Sequence, residues 1–126
     1  MNQEHWIVAQ LDLTQFAIVL YDSSVNGHSD ESIMRFIEPL CVAMPLYLQM
    51  CRFYSLRGIE SPNLFPWPMT RIRENVPQQE VGSGDCGVFV CMYIEYLMLG
   101  RPFDSFSDIG TFYRQKMVVD LWTTIS

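Results

Sequence analysis

The sequence is poor in basic residues and has no long apolar run. Eight Lys and Arg stand against fourteen Asp and Glu, which gives 8 − 14 = −6 at neutral pH. A nucleic-acid partner is therefore not expected, because binding to phosphates depends on Lys and Arg. No apolar run reaches the roughly 18–20 residues that span a bilayer, and no secretory leader is expected at the start. We expect no membrane association.

Histidine is scarce and cysteine pairs are missing. The chain has two histidines and four cysteines, with no Cys-x-x-Cys spacing. We expect neither a metal nor another cofactor, because zinc sites require a denser ligand pattern. Without a secretory context the thiols are predicted to be reduced, which places the protein inside the cell, in the nucleus or the cytoplasm. Cys41, Cys51 and Cys91 are expected to be structural, and His28 to be a solvated loop residue.

What remains is enough apolar material for one domain, with 49% hydrophobic residues in 126. Two short apolar strands, His5–Leu11 and Phe16–Tyr21, are predicted to form an antiparallel hairpin with both faces covered. Residues 12–15 would make the turn. A third strand is expected at Met69–Arg73, inside an irregular loop. These elements are those of an α+β fold, and we expect a monomer.

Three helices are predicted after the hairpin. Ser29 is expected to cap the first, which Pro39 and Pro45 should kink or divide into two. The central helix should start near Cys86 and be buried all round. The last helix should be capped by Ser107.

The stretch Pro77–Cys91 (PQQEVGSGDCGVFVC) is the most informative part of the chain. A polar, glycine-rich loop ends at Asp85, the expected N-cap, and Cys86 opens an apolar segment that should end near Leu99, before Gly100. Backbone N–H groups and the positive end of the helix dipole favour a thiolate there. Cys86 is therefore a candidate nucleophile.

A nucleophilic cysteine needs a base and a group that orients this base. His5 begins the first predicted strand, and Asp22 follows the second. A hairpin can bring both to one edge of a sheet, where Asp22 would accept from one imidazole nitrogen and leave the other to face the sulfur of Cys86.

These residues, in this order, resemble the ubiquitin-like protein proteases, the SUMO-specific or sentrin-specific group of cysteine peptidases. Four short matches carry the resemblance: His5-Trp6, Tyr21-Asp22-Ser23, Pro77-Gln78-Gln79 and Asp85-Cys86-Gly87. The resemblance implies a papain-like cysteine proteinase fold, in which a small sheet is flanked by helices. The implied partner is a SUMO-type modifier or its conjugates. The implied reaction is hydrolysis of a peptide or isopeptide bond after the modifier's C-terminal Gly-Gly, through a thioester.

The resemblance also implies a role for each residue of the site. Cys86 would be the nucleophile, His5 the base, Asp22 the orienting acid and Gln79 the side-chain donor to the oxyanion. Trp6 would wall a channel for the Gly-Gly tail, and Gly87 would let the scissile carbonyl approach the helix.

Two features depart from the family pattern. Gln79 lies seven residues before Cys86, one more than is usual, and residues 82–84 are expected to absorb the extra residue. The chain also begins where the family's histidine strand begins. Residues 1–126 are therefore expected to be the C-terminal part of a catalytic domain, truncated at its N-terminus.

Two other functions remain open at this point. The chain could be an incompetent remnant of such a protease, since the front half of the domain would supply part of the core and channel. It could also be an acyltransferase that uses the same His-Asp-Cys site and passes the thioester to an acceptor other than water.

Overall fold

The computed structural model describes residues 4–62, 64–104 and 108–125. It contains strands β1 (Val8–Asp12), β2 (Ala17–Tyr21) and β3 (Met69–Arg71), and helices α1 (Asp30–Met50), α2 (Phe53–Leu56), α3 (Cys86–Leu99) and α4 (Ile109–Ile125). The fold is α+β, as predicted. None of the described helices is both long enough and apolar enough to cross a membrane.

The chain folds into two compact units. The first is formed by the described residues within Met1–Val8, Tyr21–Gly27 and Ile72–Ser126, and the second by Ala9–Leu20 and His28–Arg71. All the sequence-predicted site residues fall in the first unit.

The sheet has the order β1-β2-β3, and β3 runs parallel to β2 with Ile18 opposite Met69. The third strand was therefore predicted correctly. The first strand begins at Val8 rather than His5, so His5 lies just before it. Asp12 makes the predicted turn, because its Oδ1 accepts from the N–H groups of the second and third residues after it, both at 2.9 Å.

The expectation that both faces of the hairpin are covered is wrong for β1. Two of its residues, Ala9 and Gln10, are exposed, whereas Ile18 and Leu20 of β2 are fully buried. β2 therefore supplies the buried side of this sheet, because its inward positions alternate with a period of two.

Helix α1 is continuous from Asp30 to Met50, so of the two predicted alternatives, a kink or a division into two shorter helices, the division is wrong. Ser29 caps it as expected, and its side chain accepts from the N–H of Ser32. Pro45 has no N–H to donate to the carbonyl of Cys41, four residues earlier. That carbonyl instead accepts from the backbone N–H of Trp67 at 3.0 Å. A partner from outside the helix thus replaces the bond that the proline removes.

Helix α3 runs from Cys86 to Leu99 as predicted and ends at Gly100, whose φ of 64° is left-handed. It is not buried all round. Phe89, Met92 and Tyr93 face the core, while the opposite side is exposed, with Met98 82% accessible. The segment is apolar on every side, so its composition hid which face packs.

The core of the first unit lies between α3 and α4. It consists of Val8, Val76, Phe89, Met92, Tyr93, Ile109 and Tyr113. α4 contributes only its first turns, because Ile109 and Tyr113 are its buried residues. The predicted cap of this helix, Ser107, lies outside the described residues. The four-residue helix α2 was not predicted.

Candidate active site

The hairpin brings His5 and Asp22 together. Nε2 of His5 lies 2.7 Å from Oδ1 of Asp22, whose side chain is fully buried, and only 12% of the His5 side chain is exposed. The bond engages one ring nitrogen and fixes the orientation of the imidazole. A proton transfer between this imidazole and a thiol would therefore use the other nitrogen, Nδ1.

Asp22 is held from both its side chain and its backbone. Its Oδ1 also accepts from the N–H of Ser24 at 2.8 Å. Its carbonyl accepts from Nε2 of Gln78 at 2.7 Å, and Oε1 of Gln78 accepts from the N–H of Val25 at 2.9 Å. Gln78 thus binds the loop of the acid to the Pro-Gln-Gln segment. Sequence reasoning gave Gln78 no role of its own.

The side chain of Gln79 is oriented by Ser23, the residue next to Asp22. The hydroxyl of Ser23, which is fully buried, donates to Oε1 of Gln79 at 2.6 Å, and the two backbones are joined by a 2.8 Å bond from the N–H of Gln79 to the carbonyl of Ser23. The amide therefore directs its donor end, Nε2, away from Ser23. A long contact of 3.4 Å joins this nitrogen to Ser83, in the glycine-flanked loop that carries the extra residue.

Tyr93 supports the same segment from the core. Its hydroxyl donates to the carbonyl of Pro77. Burial, with a smaller effect from the charge of Asp22, raises the pKa of the Tyr93 hydroxyl, so it stays a neutral donor. The loop before Cys86 is thereby anchored to the middle of α3.

Cys86 is the first residue of α3 and is 9% exposed. The thiol thus lies at the positive end of the helix dipole, as predicted. Asp85 occupies the N-cap position, but its side chain makes no capping bond. It forms an ion pair with Arg114 of α4 instead. The predicted position of Asp85 was correct, and its predicted capping bond was wrong.

The two residues predicted to contact substrate are both open. Trp6 is 62% exposed beside His5. Gly87 is the second residue of α3, and a methyl group built on it would meet no atom within 4 Å.

The other cysteines divide into one buried and two exposed residues. All four cysteines are free; besides the buried Cys86, Cys41 is buried and Cys51 and Cys91 lie on the surface. Within the described ranges, no group of three His, Cys, Asp or Glu side chains could hold a metal ion. His28 is exposed.

The profile of the Ulp1 protease family, C-terminal catalytic domain, matches residues 1–126. The chain belongs to the Ulp1 protease family. This confirms the resemblance drawn from the four short motifs.

The chain is also similar to individual sentrin-specific proteases. The chain is similar to Sentrin-specific protease 2 of Pongo abelii (25% identical), of Homo sapiens (24%) and of Mus musculus (25%), in each case over 118 residues. The match covers 93% of this chain and 18% of each relative, so this chain spans about a fifth of their length. No solved structure matches significantly.

Proposed function

We propose that this protein is a cysteine peptidase that hydrolyses peptide or isopeptide bonds after the C-terminal Gly-Gly of a SUMO-type modifier. The bond between His5 and Asp22, in the same unit as a cysteine at a helix N-terminus, is the observation that carries the proposal. Membership of the Ulp1 family and the similarity to sentrin-specific proteases support the substrate class.

Each residue has a chemical role in this proposal. Nδ1 of His5 takes the proton of Cys86, and the thiolate attacks the carbonyl carbon of the last glycine. The oxyanion accepts from Nε2 of Gln79 and from backbone N–H groups at the start of α3. The protonated His5 then gives its proton to the leaving amine, and a thioester remains on Cys86.

Water completes the reaction. His5 removes a proton from the water that attacks the thioester, and the glycine carboxylate and the thiol are released. Asp22 stays ionised throughout and stabilises the imidazolium through Nε2 of His5, at 2.7 Å. The open space at Gly87 lets the substrate backbone approach the helix, and Trp6 lies over the tail as an apolar wall.

The setting of the reaction follows from the same features. We infer an intracellular protein, nuclear or cytoplasmic, because its four thiols are free. The proposed partners are modifier conjugates, and the proposed state is a monomer.

A mechanism-based probe tests the proposal. A SUMO-type modifier that ends in a Gly-Gly vinyl trap should label Cys86, as shown by peptide mass spectrometry. Cys86→Ser should abolish labelling, and Cys91→Ser, five residues later and exposed, should leave it unchanged. Labelling that persists in Cys86→Ser, or wild-type protein that neither reacts with the probe nor cleaves a modifier fusion, would refute the proposal.

A further inference from the structure

The side chain of Asp85, the residue before Cys86, is bound by Arg114 of α4. Nε of Arg114 donates to Oδ1 of Asp85 at 2.6 Å, and Nη2 contacts the same oxygen. The side chain of Asp85 is only 17% exposed. The side chain of Arg114 is 55% exposed, so solvent screens part of the ion pair, while two of its nitrogens hold the same carboxylate oxygen.

Gly110 adds a steric boundary on the other carboxylate oxygen. A methyl group at Gly110 would lie 2.7 Å from Oδ2 of Asp85 and 3.3 Å from Cε2 of Phe89. α4 therefore approaches Asp85 closely with a residue that has no side chain, one turn before Arg114. The close approach and the ion pair together fix where the carboxylate lies.

This arrangement changes the electrostatics at the start of α3. The side chain of Asp85 makes no bond to the first N–H groups of the helix. An unpaired carboxylate adjacent in sequence to Cys86 would oppose a negative charge on the sulfur. Arg114 supplies the compensating positive charge.

We propose that Arg114 is a positioning residue for Cys86: it neutralises and holds Asp85, so that the helix N-terminus can favour the thiolate. Arg114 acts through Asp85 and touches no reacting atom. The proposal deepens the proposed function and rests on it for the role of Cys86 as nucleophile. It concerns the reactivity of the thiol, which can be measured without a modifier.

Among the other charged side chains of this unit, Lys116 and Asp22 have partners of their own. Lys116, the next cation on α4, pairs with Asp120 at 2.6 Å and with Glu95 at 3.4 Å. On the hairpin side, Asp22 is paired with His5. On the loop before α3 the other carboxylate is Glu80, which is exposed. The N–H of Asp85 itself donates to the uncharged Ser83, at 3.4 Å.

The test is the pH profile of Cys86 alkylation by iodoacetamide, resolved from the other cysteines by mass spectrometry. In Arg114→Gln we expect the midpoint to rise by roughly half a pH unit, which should slow alkylation at pH 7 about threefold. Adding Asp85→Asn to this variant should return the midpoint to the wild-type value, because the opposing charge is gone. Arg114→Lys should lie between.

Two controls separate this effect from damage to the fold. Lys116→Gln removes a cation from the same helix and should leave the profile unchanged. Cys91, exposed on α3, reports within each sample whether the helix has loosened. If Arg114→Gln does not fold, Asp85→Asn alone tests the proposal. The midpoint of its alkylation profile should equal or fall below that of the wild type.

The results that overturn the proposal are distinct. An unchanged profile in Arg114→Gln, a higher midpoint in Asp85→Asn, or a double variant that stays as slow as Arg114→Gln would each reject it. Failure of the wild-type protein to cleave any modifier would reject the proposed function instead, and would leave the alkylation result standing.

Discussion

At the scale of single residues, Ser23 sets the direction of the Gln79 amide. Its hydroxyl donates to Oε1 of Gln79 at 2.6 Å, which directs Nε2, the proposed donor to the oxyanion, away from Ser23. We expect Ser23→Ala to lower kcat about tenfold with little change in KM, since the donor would act in the transition state and not in the ground state. Steady-state cleavage of a modifier fusion measures both constants.

The matched control for this variant is Ser55→Ala, at an exposed serine in the second unit. It should leave both constants unchanged. If Ser23→Ala kept the wild-type kcat, or lost kcat/KM only through a higher KM, Ser23 would not orient the amide. Gln79→Ala should cost at least as much as Ser23→Ala, because it removes the donor itself.

Tyr93 links stability to pH. Its pKa is raised in the folded protein from the ordinary value of 10.0, so the folded state keeps a proton that the unfolded chain releases. The resulting stability is complete below about pH 10 and is lost as pH rises through the folded pKa. We expect the free energy of unfolding to fall above pH 10, and Tyr93→Phe to make that fall shallower.

Urea unfolding at pH 8, 10 and 11 measures this slope. At pH 8, Tyr93→Phe should cost about 1 kcal/mol, because the carbonyl of Pro77 loses its donor. Burial also raises the pKa of the Tyr54 and Tyr113 hydroxyls, so the free energy of unfolding of Tyr93→Phe should still fall somewhat at high pH. A slope identical to that of the wild type would contradict the assignment.

Which residues of the site could be predicted depended on how far apart the partners lie in the chain. His5 and Asp22 were predicted to meet because a hairpin places two strand ends at one edge. Ser23 with Gln79, and Asp85 with Arg114, are pairs joined only by tertiary structure. A single hydroxyl or guanidinium carries no periodic signal, so nothing in the sequence indicated these contacts.

At the scale of elements, one glycine of α3 and one of α4 should respond to replacement by alanine in opposite ways. A methyl group at Gly110 would press on Oδ2 of Asp85 at 2.7 Å, which should destabilise the protein by about 1–3 kcal/mol. A methyl group at Gly87 would meet nothing within 4 Å. Gly87→Ala should therefore stabilise α3, by up to about 1 kcal/mol, through helix propensity.

The two variants should differ in activity as well. Gly87→Ala should raise the urea midpoint and still lower kcat/KM, because the methyl group would occupy the space proposed for the substrate backbone. Gly110→Ala should lower both. If Gly87→Ala kept full activity, Gly87 would be a solvent-facing position and not part of the substrate path.

Helix α1 shows why local rules failed at this scale. Pro39 and Pro45 each remove a helical hydrogen bond, and on propensity alone a kink or a break was predicted. The helix continues because the carbonyl freed by Pro45 finds the N–H of Trp67, and the hydroxyl of Tyr54 donates to the carbonyl of Pro45 at 3.2 Å. Both partners come from later in the chain, where the sequence indicated only irregular structure.

At the scale of the whole molecule, neither unit is a continuous piece of chain. The polypeptide passes between them at four points, after residues 8, 20, 27 and 71. Unfolding one unit therefore releases the ends of segments that belong to the other. Because of this connectivity, we expect a single cooperative unfolding transition.

Tryptophan positions allow that expectation to be tested. Trp67, in the second unit, is 3% exposed, while Trp6 and Trp122 are 62% and 71% exposed. With the two exposed residues replaced by Phe, fluorescence reports on the second unit alone.

Phe89→Ala empties a buried site in the first unit and should cost about 3–5 kcal/mol. In this variant, the urea midpoint measured by Trp67 fluorescence should fall by the same amount as the midpoint measured by far-UV circular dichroism. Val81→Ala, at a fully exposed residue, should leave both midpoints unchanged. If the urea midpoint of Trp67 fluorescence did not change in Phe89→Ala, the two units would unfold independently.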